Sequence, residues 1–345
     1  MSDQSAVTQQ RNWAAWLWLC VGGALLPFAI VGNVVPIAAW LAPVFLMRFV
    51  RTTRARICLP IIGVLGYLTA LIVLRDNVPA PALYLFAVPA GVTLVLSYGA
   101  DRLLARRIGG VLGTLVFPAT DTALNFLPGV LNQDDFATVG VAAYTQASEL
   151  PLIQLVSLTG LWGLSFLLAW LAPVVNDLWE HGFDVRQVWR SVVIFVGVLT
   201  ATLLFGGVRL AFFPPDAATV RVAALAPDRE LNDAVDAAPA APRPLPAATR
   251  TEIQQQYLNP LAEDLFTRTA QAARGGAKIV VWSEAAAFVF KEDEASFLER
   301  AQSVARQEHI YLQIGLVSLL PTDRYHTNEN RAIMIDPNGS VSQGD

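Results

Sequence analysis

Residues 57–74, 152–175 and 191–208 contain no charged side chain at all. Runs of 18 and more uncharged, mostly apolar residues match the roughly 20 residues that a helix needs to cross a bilayer core. Read with that ruler, the chain offers seven candidate spans, at 13–31, 34–47, 57–74, 83–99, 108–127, 152–175 and 191–208. The second is short, with Gly32-Asn33 allowing only a tight hairpin after the first, and the fifth is interrupted by Pro118 and Asp121. Composition agrees: 15% of the residues are charged against about 25% in soluble proteins, and mean hydropathy is +0.46. Such a chain is too apolar to be disordered. Its pI of 5.5 leaves no basic excess for nucleic acid.

The charge is unevenly placed. Residues 1–218 hold 12 Arg, no Lys and 11 acidic residues, whereas 219–345 hold 12 basic and 17 acidic residues in a much shorter length. Eight of the nine tryptophans also fall in the first part, mostly near the ends of apolar runs, as expected of indoles at a headgroup boundary. With the amino terminus in the cytoplasm, ten arginines lie on inside segments and only Arg75 and Arg209 outside, so the positive-inside rule is obeyed at every turn. Seven crossings then place everything after Arg209 outside the cytoplasm. A signal peptide is rejected for the first run, which lacks a clear small-residue cleavage site and is followed at once by another span.

From Thr219 the periodicity changes. Strands are expected at 220–226, 278–282, 310–319, 331–335 and 340–342, the last two joined by the turn Asp336-Pro337-Asn338-Gly339. Helices are expected at 251–274, where Leu258, Leu261 and Leu265 share one face, and at 294–308. The Ala-, Pro- and Asp-rich stretch 232–249 reads as a flexible surface loop. The order describes a layered α/β domain. Open α/β sheets bind ligands beyond the carboxyl ends of their strands, which is where Glu284 stands. Ala285-Ala286-Ala287-Phe288-Val289-Phe290 follows it, and desolvation by such neighbours would raise a carboxylate toward general-base range. A carboxylate that caps the turn or faces water is the simpler alternative.

The segment Gly275-Gly276-Ala277-Lys278-Ile279-Val280-Val281-Trp282-Ser283-Glu284, fed by a membrane bundle, resembles the carbon-nitrogen hydrolase (nitrilase) superfamily in its apolipoprotein N-acyltransferase form. Tyr144-Thr145-Gln146, Leu150-Pro151-Leu152-Ile153-Gln154 and Thr159-Gly160-Leu161-Trp162-Gly163-Leu164-Ser165-Phe166-Leu167 carry the likeness in the apolar part. The resemblance implies a transmembrane helical bundle of about seven helices (1–218) followed by the first part of an extracytoplasmic αββα sandwich domain (219–345). It implies a Glu-Lys-Cys triad with Glu284 as general base, a phospholipid acyl donor, a lipoprotein acceptor and a place in the inner membrane. The family's Lys and Cys follow the strand pair that reads here Asn330-Arg331-Ala332-Ile333-Met334-Ile335-Asp336-Pro337-Asn338-Gly339, so the chain, ending at Asp345, is expected to be a catalytically incomplete fragment. Lys278 and Lys291 do not fit the triad and are expected to be solvated. Cys20 and Cys58 are expected to be small core residues. Ser283 stands where the family usually has Pro, and Ala224-Leu225-Ala226-Pro227-Asp228 where the acyltransferases carry a Gln-Gly-Asn-Ile type motif. These departures keep open a membrane-anchored amidase or nitrilase, and a non-catalytic scaffold stands as a reading from another class.

Asp121 is an ionisable residue inside an expected span; it is either functional or paired with a polar neighbour such as Asn125. Asn338-Gly339-Ser340 matches a glycosylation sequon, but the same Asn-Gly is better explained as the hairpin turn. His181, His309 and His326 have no metal-ligand spacing, and neither metal nor cofactor is inferred.

Overall fold

The computed structural model describes residues 2–30, 35–75, 78, 80–132, 138, 140–213, 216–236, 246–319 and 328–343, the side chains of 2–12, 132, 236 and 343 aside. The expected Gly32-Asn33 hairpin and His326 lie outside the described residues. The chain forms two compact units, Met1–Pro215 and Asp216–Asp345.

The first unit is helical, and the described residues of every expected span fall mainly on helix. Ala55–Leu74, Ala82–Ile108, Val156–Glu180 and Val185–Phe212 are long and apolar enough to cross a membrane, and Trp13–Ala29 is a shorter apolar helix. Pro36–Thr52 completes the second run. Small residues allow close helix approach: a Cβ on Gly91 would stand 2.6 Å from the carbonyl oxygen of Gly63, the contact that glycine permits between membrane helices. Three boundaries differ from the sequence reading. The fourth helix does not stop at Gly99 but continues through a π turn, Asp101–Ala105, because the charge at Asp101 is neutralised inside the bundle. Arg51 Nε and Nη2 donate to its two oxygens at 2.9 and 2.8 Å. The fifth run breaks at Gly109, whose φ of 68° is left-handed, and again at Leu115, ahead of Pro118. The sixth is kinked at Gly160, φ 64° and ψ −174°, a conformation open essentially to glycine alone.

The second unit is a single mixed sheet with helices packed on it. Strands β1 (Val222–Leu225), β2 (Ile279–Trp282), β3 (Ala287–Phe290), β4 (Tyr311–Leu319), β5 (Asn328–Ile335) and β6 (Val341–Gln343) follow in chain order. They lie in the order β1-β2-β4-β5-β6, with β3 also on β4. Pairs β1/β2, β2/β4 and β3/β4 are parallel, and β4/β5 and β5/β6 antiparallel. Helices Asn259–Arg274 and Glu294–Glu308 bury Leu261, Leu265, Phe266, Ala301 and Ala305. Trp282 is fully buried between them, its Nε1 donating to Thr269 Oγ1 at 2.9 Å. The turn at 336–339 forms as read: Gly339 has φ 81° and the Asp336 carboxylate accepts from the amides of Asn338 and Ser340.

The stretch 232–249 is not a plain loop. Its ends belong to helices Arg229–Asp236 and Ala247–Ile253. Asp228 Oδ1 accepts from the amides of Glu230 and Leu231 and so caps the first, and alanine, the best helix former, opens the second at Ala247 and Ala248. Residues 237–245 lie outside the described residues. The second helix runs on through a π turn, Gln254–Leu258, into Asn259–Arg274, a local rewinding that accommodates Pro260, which has no amide hydrogen to donate.

Candidate active site

Glu284 stands just beyond the carboxyl end of β2, as read, and in the turn that separates β2 from β3. Residues Ile279–Val281 of β2 pair with Tyr311–Gln313, and β3 rejoins the same edge of β4 at Leu316, running to Leu319. Between the halves the chain leaves the ladder. Ser283 N makes the last bond, to Leu225 O at 2.9 Å, and Ala285 adopts the left-handed conformation, φ 50°, which costs a residue with a Cβ and recurs at functional turns. The excursion faces Gly315 of β4. A Cβ there would lie 2.1 Å from Ser283 O and 3.1 Å from Ala285 N, so only a glycine lets the turn sit so close to the sheet.

The expectation that its apolar neighbours desolvate Glu284 is corrected. Ala286, Ala287, Val289 and Phe290 are buried in the core, whereas Glu284 is exposed, because the left-handed Ala285 turns the chain between them. Its carboxylate is held instead by a polar partner. Asn330 Nδ2, from β5, donates to Glu284 Oε1 at 2.7 Å, leaving Oε2 without a hydrogen bond among the described residues. The bond fixes the direction of the carboxylate, so the turn presents one oriented, solvent-reachable proton acceptor. Asn330 and Gly315 were not read as site residues from the sequence. The signals were there in principle, since Asn and Gly are both poor strand residues.

Beside it, separated by the alternation of β5, lies a charged cluster. Glu294, at the start of its helix, accepts from Arg331 at 2.5 Å, Lys291 at 2.9 Å and Ser318 at 2.8 Å. Burial pushes its carboxyl up, but those three donors outweigh it and hold the group down at about 2. Lys291 is therefore not a free solvated lysine: it also meets Glu329 at 2.7 Å, whose hydrogen bond, with that of Glu294, raises the ammonium above its ordinary value. Lys278 is exposed. Cys58 is buried as expected, but Cys20 is exposed and is not a core residue, since a helix facing lipid places apolar side chains outward. Asp121 accepts from Ser97 Oγ at 3.1 Å, while Asn125 donates to its backbone oxygen and not to the carboxylate. His181 Nδ1 lies 2.8 Å from Asp177 O, and His309 caps its helix in the left-handed conformation. Among the described residues no group of three or more His, Cys, Asp or Glu is placed to hold a metal ion.

No family model matches the chain. A curated relative from Geobacter metallireducens, named apolipoprotein N-acyltransferase, is 28% identical over 316 residues, which cover 90% of this chain and 53% of the relative. The chain is similar to apolipoprotein N-acyltransferases. Relatives of the same name from Bradyrhizobium diazoefficiens and Rhodopseudomonas palustris are 28% identical over 153 residues and 25% identical over 202. They cover 44% and 57% of this chain, and 26% and 35% of the relatives. The chain thus spans about half the length of the Geobacter relative and less of the other two. The first alignment takes in residues of both units.

Proposed function

We propose that this chain belongs to a membrane acyltransferase of lipoprotein biosynthesis, a member of the carbon-nitrogen hydrolase superfamily, and supplies its general base, Glu284. The observation that carries the reading is the 316-residue similarity to a named apolipoprotein N-acyltransferase, which takes in both the apolar helices and the sheet. The oriented carboxylate at the strand break supports the role given to Glu284.

The chemistry is a ping-pong transfer. Glu284 takes the proton of a cysteine thiol; the thiolate attacks the ester carbonyl of a phospholipid, forming a thioester and releasing a lysophospholipid that receives the proton. The amino-terminal amine of a lipoprotein then attacks the thioester, forming the amide and returning the thiol. Neither Cys20 nor Cys58 is assigned as that thiol, because both lie in helices of the first unit. By the arginine count the sheet unit belongs outside the cytoplasm, with the amino terminus inside. The sheet's second face, where Val222 and Tyr311 are exposed, is the face on which the second sheet of an αββα sandwich would pack.

The test uses the product of the complete gene in detergent or vesicles. Incubation with radiolabelled phospholipid should leave a hydroxylamine-sensitive acyl group on the protein, and a diacylglyceryl peptide should discharge it. Glu284→Gln, which keeps the Asn330 contact but not the basicity, should slow acylation by about 100-fold or more. Undiminished acylation in that variant removes Glu284 from the mechanism. Acyl-enzyme that discharges to water alone would favour the membrane-anchored hydrolase.

A further inference from the structure

Asn330 meets Glu284 through the nitrogen of its carboxamide. A carboxylate only accepts hydrogen bonds, so the amide must turn its NH2 toward Glu284 and its oxygen away. Neither Asn330 Oδ1 nor Glu284 Oε2 has a donor among the described residues, and both residues are exposed. The pair therefore presents two free acceptors of unequal basicity. The carboxylate oxygen can take a proton, whereas the amide oxygen can hold a hydrogen without removing it.

The charge around them is one-sided. Among the described residues the six strands hold only two charged side chains, Glu329 and Arg331. Alternation along β5 puts both on the helix-covered face, where Arg331 is taken up by Glu294 and Ser318. Lys291 is likewise occupied there, by Glu294 and Glu329. On the opposite face Asn330 stands with Ala332 and Met334 and is paired with Val317. No cation meets Glu284 among the described residues. Its charge is uncompensated, so this face attracts a cation and repels an anion.

We propose that Asn330 is a specificity-determining residue for the final acceptor, its Oδ1 and Glu284 Oε2 together receiving a primary amine that arrives as its ammonium ion. The proposal rests on the acyl-transfer reading of Glu284. A primary ammonium carries three N–H bonds, and the reaction treats each differently. One proton goes to Glu284 Oε2 and on to solvent, which frees the nitrogen lone pair. That pair attacks the thioester carbon, the C–N bond forms, the C–S bond breaks, and the departing thiolate takes the second proton. The third hydrogen stays on nitrogen in the amide product. Asn330 Oδ1 suits that hydrogen, because an amide oxygen accepts it without acting as a base. A hydroxyl acceptor has a single hydrogen, which the reaction removes, and so leaves Oδ1 empty.

The experiment uses the product of the complete gene, acylated with radiolabelled phospholipid and then freed of lipid. The acyl-enzyme is offered a diacylglyceryl peptide with an amino terminus, or the same peptide with a hydroxyl in place of the amine. The two discharge rates are compared as a ratio, which cancels effects on folding and on acylation. Asn330→Ala should lower the amine-to-hydroxyl ratio about tenfold, the effect of losing one hydrogen bond from a charged donor. Asn330→Asp keeps an oxygen there and loses the donor to Glu284, so it should acylate slowly yet hold the ratio at or above the parent's. An unchanged ratio in Asn330→Ala overturns the proposal. A fall in Asn330→Asp overturns it as well, since it would assign the effect to the direction of Glu284. Should Asn330→Ala not fold, Asn330→Leu, closer to asparagine in volume, must show the same fall, and a parental ratio there overturns the proposal. A parent that forms no acyl-enzyme brings down the acyl-transfer reading and this proposal together, whereas acyl-enzyme with a ratio indifferent to Asn330 removes the proposal alone.

Discussion

Gly315→Ala is the smallest change that reaches Glu284 without touching it. The backbone of Gly315 lies in a regular strand paired with Ala332, so alanine meets no conformational penalty there and the effect is one of space alone. Its Cβ would stand 2.1 Å from Ser283 O, 3.0 Å from Ser283 C and 3.1 Å from Ala285 N, where ordinary contact begins at 3.4 Å. Every one of these atoms is backbone, so no rotamer change relieves the clash, and the turn must withdraw by more than an ångström. Overpacking of this kind costs about 1–3 kcal/mol. The displacement also carries Glu284 away from Asn330, and a 2.7 Å hydrogen bond does not survive a shift of that size. The expected result is a protein whose sheet unit is destabilised by about 2 kcal/mol and in which the proposed acyl transfer falls far more than stability does. Hydrogen exchange followed by mass spectrometry reads the two separately. The amide of Ser283, bonded to Leu225 O, should lose protection while amides at the β4/β5 pairing keep theirs. Ala332→Ser, at the exposed partner position, is the control and should change stability by less than about 0.5 kcal/mol. If Gly315→Ala leaves both exchange in residues 283–286 and the acylation rate at parent levels, the claim that Gly315 sets the position of the glutamate turn is wrong.

Arg51→Met should destabilise the helical unit by about 3–5 kcal/mol, because it strands Asp101 as a buried charge with 1% of its side chain exposed. The double change Arg51→Met with Asp101→Leu should recover most of that loss, and thermal unfolding in detergent checks both. The sheet unit should lose stability in acid through Glu294. Its folded value of about 2 lies below the ordinary 4.5, so the contribution is complete above pH 4.5 and is lost as the pH falls toward 2. Glu294→Gln should flatten that window in a pH series of unfolding midpoints, and an undiminished acid loss in the variant would assign it to other carboxylates.

The elements that sequence reasoning located well are those governed by one neighbouring solvent. Helix Glu294–Glu308 and strand Tyr311–Leu319 lie within a residue of their expected bounds, because each has one face on a core and the period announces itself. The apolar runs fell on helices for the same reason. The errors gather where a distant partner changes the local rule. Asp101 looked like the end of a span because a charge should leave the bilayer, yet Arg51, fifty positions earlier, meets it inside the bundle. Strand β3 went unseen because Ala-Phe-Val-Phe three residues after a glutamate looked like the shell of a site, and what makes it a strand is pairing with Leu316–Leu319.

The same reasoning explains why the candidate site was legible as a single residue and not as an arrangement. Glu284 stands out in sequence because it is the one charge between Lys278 and Lys291. Its orientation, however, comes from Asn330, its height above the sheet from Gly315, and its exposure from the left-handed Ala285. Two of these three lie more than thirty residues away. A break between two half-strands along one edge of β4 pins the turn at both sides, so the ordering entropy of the site is met by the sheet as it folds. That is the physical argument for a built feature: an alanine held in the left-handed region and a glycine inside a nine-residue strand each weaken the sheet, and their joint effect is to direct one carboxylate outward.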